Sequence, residues 1–95
     1  MLFRSVAEKM YLISRGHQVF CVTHLPQIAS MSDNHFLVSK NVKDEKTYTN
    51  IECITNKQKQ HEIARMIGGS EITQLTLKNS MEMVNMALKR KKELI

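Results

Sequence analysis

The first apolar positions, Phe3, Val6, Ala7, Met10 and Ile13, recur at three- and four-residue intervals, which places them on one side of a helix. Gly16 supplies its stop, so the helix is expected to run to about Arg15. From Gln18 to His24 the pattern changes to a β-branched and aromatic run without alternation, the mark of a strand covered on both faces as in a parallel sheet. Pro26 follows almost at once; its preset φ and missing amide hydrogen suit the first turn of a helix over roughly Pro26 to Met31. His24 is thereby placed at a strand-to-helix junction. After the turn-forming Ser32-Asp33-Asn34, His35 to Val42 and Thr47 to Ile54 form two strand-like stretches about the polar Lys43-Asp44-Glu45-Lys46, an antiparallel hairpin. Thr55 with Gln58 makes a capping box for a helix through Ile63, Ala64, Met66 and Ile67, stopped at Gly68-Gly69. A last helix from Ile72 or Thr73 carries Leu77, Met81, Val84 and Leu88 as one buried stripe, with Lys78, Glu82 and Asn85 elsewhere.

This order predicts an α/β chain whose sheet is incomplete: a single parallel-type strand requires parallel neighbours, and no other segment reads as one. With 95 residues the chain is expected to be one domain over 1–95, part of a larger fold. A hydrophobic share of 42% with 24% charged residues places it with globular chains rather than disordered ones. Apolar runs such as Val19 to Val22 fall far short of the roughly 20 residues that cross a bilayer. The start at Met1-Leu2-Phe3-Arg4 lacks the order of a secretion signal, so a cytoplasmic location without membrane partners is expected. Cys21 in the apolar run and Cys53 in a strand pattern are expected to be buried free thiols.

The formal charge is +5, and Lys89, Arg90, Lys91 and Lys92 gather much of it near the end of the last helix. Cations there complement the helix dipole, and they are also candidates for nucleic-acid contact; both readings stand at this point. His17, His24, His35 and His61 show no metal-ligand spacing. No Gly-x-Ser-x-Gly elbow is present, and neither Gly16 nor Gly69 precedes a lysine as a phosphate loop requires. His24 carries the sharpest functional reading. In open α/β sheets ligands bind at the carboxyl ends of strands, where an imidazole can reach a phosphate. The alternative is a histidine that caps its strand by bonding a nearby carbonyl.

The segment Val19-Phe20-Cys21-Val22-Thr23-His24-Leu25-Pro26-Gln27-Ile28-Ala29 resembles the switch-histidine region of the RecN family, in the SMC-like branch of the ABC ATPases. Glu62-Ile63-Ala64-Arg65-Met66-Ile67-Gly68-Gly69 is similar to that family's Glu-x-Ala-Arg-Met-Leu-Gly-Gly element. Ile72-Thr73 with Thr76-Leu77 resembles the start of its closing helix, and Ser5-Val6-Ala7-Glu8-Lys9-Met10 the helix after its D-loop. The resemblance covers nearly the whole chain and implies the C-terminal portion of a P-loop NTPase head, the part after Walker B and the D-loop.

It further implies a role in recombinational repair of DNA double-strand breaks. His24 would sense the γ-phosphate or attacking water only in the complete head. ATP and magnesium would belong to the full-length protein and none to this chain, whose own hydrolysis is not expected. The implied partners are the rest of the same head, a second head in a homodimer, and DNA through the full-length protein. Two other readings compete: a small basic module binding nucleic acid through the hairpin and Lys89 to Lys92, and a dimerisation lobe whose unpaired strand edges recruit another chain.

Overall fold

The structure is a computed structural model that describes residues 2–94, with side chains from Arg4 onward; the expected burial of Phe3 lies outside them. Four helices and one hairpin follow in the order α1 (Leu2–Ser14), α2 (Pro26–Ala29), β1 (Phe36–Lys43), β2 (Lys46–Cys53), α3 (Asn56–Gly68) and α4 (Gln74–Leu94). The architecture is α/β, with the helices packed on one another and the hairpin as the only sheet among the described residues.

Local chemistry accounts for the boundaries. Thr55 and Gln58 form the expected capping box, Gln58 N–H donating to Thr55 Oγ1 at 3.2 Å and Thr55 N–H to Gln58 Oε1 at 2.9 Å. Thr73 and Thr76 make a similar reciprocal pair before α4, Thr76 N–H to Thr73 Oγ1 at 3.1 Å and Thr73 N–H to Thr76 Oγ1 at 2.9 Å. Gly69 ends α3 with φ of 75°, a conformation that a side chain strains. The hairpin turns on Asp44 and Glu45, whose φ values of 53° and 64° match the handedness that a two-residue turn needs to follow strand twist. Its register pairs Phe36 with Cys53 and Val38 with Ile51 on one face.

Four expectations are corrected. Gln18 to His24 is not a strand: it is an irregular stretch with no backbone hydrogen bond to another described residue, leaving Phe20 77% and Val22 104% exposed. A strand exists only as a paired element, and nothing here pairs with this run. For the same lack of cover Cys21 and Cys53 are exposed free thiols rather than buried ones. In α4 the buried seam is Ser80, Val84, Ala87 and Lys91, one step round from the expected stripe, so Met81 and Leu88 are exposed. Likewise α1 buries Ala7 and Tyr11 while Val6 and Ile13 face outward.

The core is small. Ala29, Ile63 and Val84 form its centre, with Met66, Ile67 and Met83 packed against them. Among the described residues eight hydrophobic ones are buried and four of these are alanines, Ala7, Ala29, Ala64 and Ala87, which let helices approach closely but remove little apolar area from water. The radius of gyration of 14.5 Å exceeds the roughly 12 Å of a compact domain of this length, so the helices and hairpin spread into an open form. Ile63→Ala is expected to destabilise the fold by about 2–5 kcal/mol, since Ile63 is fully buried at the α3–α4 contact. Val22→Ser should change stability by no more than about 0.5 kcal/mol; urea unfolding followed by circular dichroism checks both.

Candidate functional site around His24 and the turn after α2

His24 precedes α2 by one residue, Leu25 being the N-cap. A bend is set there by Leu25 N–H donating to Thr23 Oγ1 at 3.0 Å. Pro26 occupies the first helical turn, as its geometry predicts. The His24 imidazole is exposed and has no hydrogen-bond partner among the described residues, so it does not cap the segment through a carbonyl. It is presented outward from the start of a four-residue helix, and such a helix has too few hydrogen bonds to hold itself together.

What holds α2 lies at its other end. The carbonyls just past it, which a helix leaves unpaired, are taken up by two lysines from distant elements. Lys59 of α3 donates to Ser30 O at 3.3 Å and Ser32 O at 2.8 Å. Lys91 of α4 donates to the same Ser32 O at 3.1 Å and to Asp33 Oδ1 at 3.1 Å. Arg15, just past α1, closes on Asp33 Oδ2 at 2.8 Å. The Tyr11 ring takes both cations on its π-system, the Arg15 guanidinium 4.3 Å and the Lys91 ammonium 5.2 Å from its centroid. Three segments, the end of α1, α3 and α4, thus meet on the turn 30–33.

The electrostatics follow from this crowding. Burial pushes the Lys59 ammonium down to a pKa of about 8, assisted by the charge of Lys91 and only partly opposed by Asp33. Burial raises the Asp33 carboxyl, but the hydrogen bond and charge of Lys91 and the nearby Arg15 outweigh it and leave the carboxyl below its usual range. His35, whose Nδ1 is buried without a partner, is lowered by burial and by the charge of Lys59, so it favours the neutral form. Glu8 is lowered chiefly by its hydrogen bond from Arg90, which also pairs with Glu93 at 3.1 Å.

The four basic residues at the end of α4 therefore do not act together. Lys91 is buried in the turn cluster and Arg90 is engaged with Glu8 and Glu93, while Lys89 and Lys92 are exposed. Among the described residues no group of three or more His, Cys, Asp or Glu is placed to hold a metal ion, and no helix is long and apolar enough to cross a membrane. Sequence reasoning missed Tyr11, Asp33, Lys59 and Lys91 as a set. A trace of it was present: Lys59 stands four residues before Ile63, and Lys91 four after Ala87, both at core positions of their helices.

No protein-family model matches the chain. The DNA repair protein RecN of Bacillus subtilis (strain 168) is 42% identical to it over 84 residues, 88% of this chain and 15% of that protein. RecN of Halalkalibacterium halodurans is 40% identical over 84 residues, again 88% and 15%, and that of Haemophilus influenzae 40% over 81 residues, 85% and 14%. Across this stretch the chain belongs to the RecN family of DNA repair proteins. It spans about 15% of the length of the relatives it matches.

Because Lys59 holds its proton less tightly in the folded chain than at the ordinary lysine value of 10.5, the unfolded state binds more protons between about pH 8 and 10.5. The Lys59 contribution to stability is expected to rise as the pH rises through that window. Urea unfolding at steps across the window, with Lys59→Met as reference, tests this: the difference between the two should grow with pH.

Proposed function

We propose that the chain is the C-terminal part of a RecN-like ATPase head acting in cytoplasmic DNA double-strand-break repair, contributing the switch histidine His24 and the helices α3 and α4. The observation that carries the reading is the bare apolar run Val19 to Thr23, exposed, unpaired and ending at an outward His24, within a RecN-family sequence. A run of this kind suits a strand between neighbours in a larger sheet. Such a sheet would bring its carboxyl end, and therefore His24, to the edge where nucleotides bind in α/β folds.

In this reading the remainder of the head supplies the phosphate loop, the acids and the magnesium. Its residues bind neither ATP nor metal alone. His24 senses and orients at the γ-phosphate, and the Lys59 and Lys91 contacts hold the far end of α2 so that the residue before the helix is presented reproducibly. Catalysis of phosphoryl transfer rests on positioning and charge stabilisation, so a displaced contact is felt in the rate. Partners are the rest of the head, a second head, and DNA through the whole protein. Lys89 and Lys92 are the exposed cations at the end of α4 that remain for a phosphate backbone.

The test is single-turnover hydrolysis of magnesium-ATP by Bacillus subtilis RecN carrying this chain in place of its matched 84 residues. His24→Ala is expected to lower the rate at saturating nucleotide tenfold or more, about 1.4 kcal/mol of transition-state stabilisation. An unchanged rate with an intact fold would remove His24 from the reaction.

A further inference from the structure

Between α1, α2, α3 and α4 lies an open groove of about 810 Å³, lined by Met31, Met66, Met83 and Met86 together with Leu25 and Ile67. Water in such a groove lies against apolar walls, an arrangement that burial by a partner relieves. Methionines repack around an incoming surface at little conformational cost, and walls made by helices accept another helix. The rim is polar: Arg90 is bonded to Glu8, whereas Glu82 is exposed and makes no salt bridge among the described residues.

Resting on the family reading above, we infer that this groove seats an apolar helix from the larger remainder of the RecN-type polypeptide, and that seating it positions His24. The relatives carry most of their length outside the matched 15%, so a covering segment is available in the same polypeptide. The unpaired Glu82 calls for a Lys or Arg beside the helix's apolar stripe. A second copy is the poorer occupant, because each carries a net charge of +5 and the two repel. Leu25, Pro26 and Gln27 form part of the groove wall and directly follow His24. An occupant that packs on this wall restricts the backbone from which the imidazole projects.

The experiment mixes this chain with the remainder of Bacillus subtilis RecN lacking its matched segment. Affinity is measured by sedimentation for the unaltered chain, for Met86→Glu, and for Val42→Glu on the hairpin. Met86 is 54% exposed and Val42 76%, so neither change should disturb the fold, as circular dichroism would verify. Met86→Glu is expected to weaken binding tenfold or more and Val42→Glu less than twofold. A photo-crosslinker at position 86 should join a helical peptide of the remainder. Equal affinity for Met86→Glu, or crosslinks from position 86 only to a second copy or to nothing, overturns the groove inference and leaves the head reading standing. No association of the unaltered chain with the remainder overturns both.

Discussion

Two lysines from different helices, both buried, converge on one carbonyl oxygen, that of Ser32, and the remaining packing is arranged around them. A buried ammonium is tolerated only where its hydrogen bonds are met. Here the acceptors are the carbonyls that a short helix leaves open at its end, so one arrangement satisfies both the lysines and the helix. Asp33 provides the negative charge that keeps Lys91 and Arg15 together, and Tyr11 provides the π-surface on which both rest. Truncating Lys59 leaves the Ser30 carbonyl without the donor it has here, which is costlier than losing a surface ion pair. This cluster does for α2 what four residues of helix cannot do for themselves.

The consequence is a structure whose polar centre is better satisfied than its apolar surface. Half of the buried hydrophobic residues are alanines, while Phe20, Val22, Val38, Val42 and Ile51 are largely exposed. On the hairpin, Val38 and Ile51 lie opposite one another on one face and neither is covered. The groove and the bare run before His24 add to this outward apolar surface. That is the character expected of a stretch that matches 15% of its relatives' length.

Much of the local structure was legible in the residues. Thr55 and Gln58, Pro26, the Gly68-Gly69 stop and the polar turn at Asp44-Glu45 each act through neighbours within a few positions, and the helices and the hairpin formed where they were expected to within a residue or two. The resemblance of Thr23-His24-Leu25-Pro26-Gln27 and of Ala64-Arg65-Met66 to RecN was likewise read from short stretches, and RecN is the family that the relatives show over most of the chain.

What sequence by itself determined was therefore the identity of the helices, the hairpin and the family, because caps, turns and periodicity are short-range. Only the tertiary structure decided which stripe of α4 is buried, that Cys21 and Cys53 are exposed, and that Gln18 to His24 stays unpaired, since burial and strand pairing belong to neighbours distant in the chain. It also decided that Lys91 lies inside while Lys92 lies outside, separating two adjacent cations that composition counts alike. Adjacent helical positions point some 100° apart, and the partner for one of them, the turn at Ser32, lies in a different part of the chain.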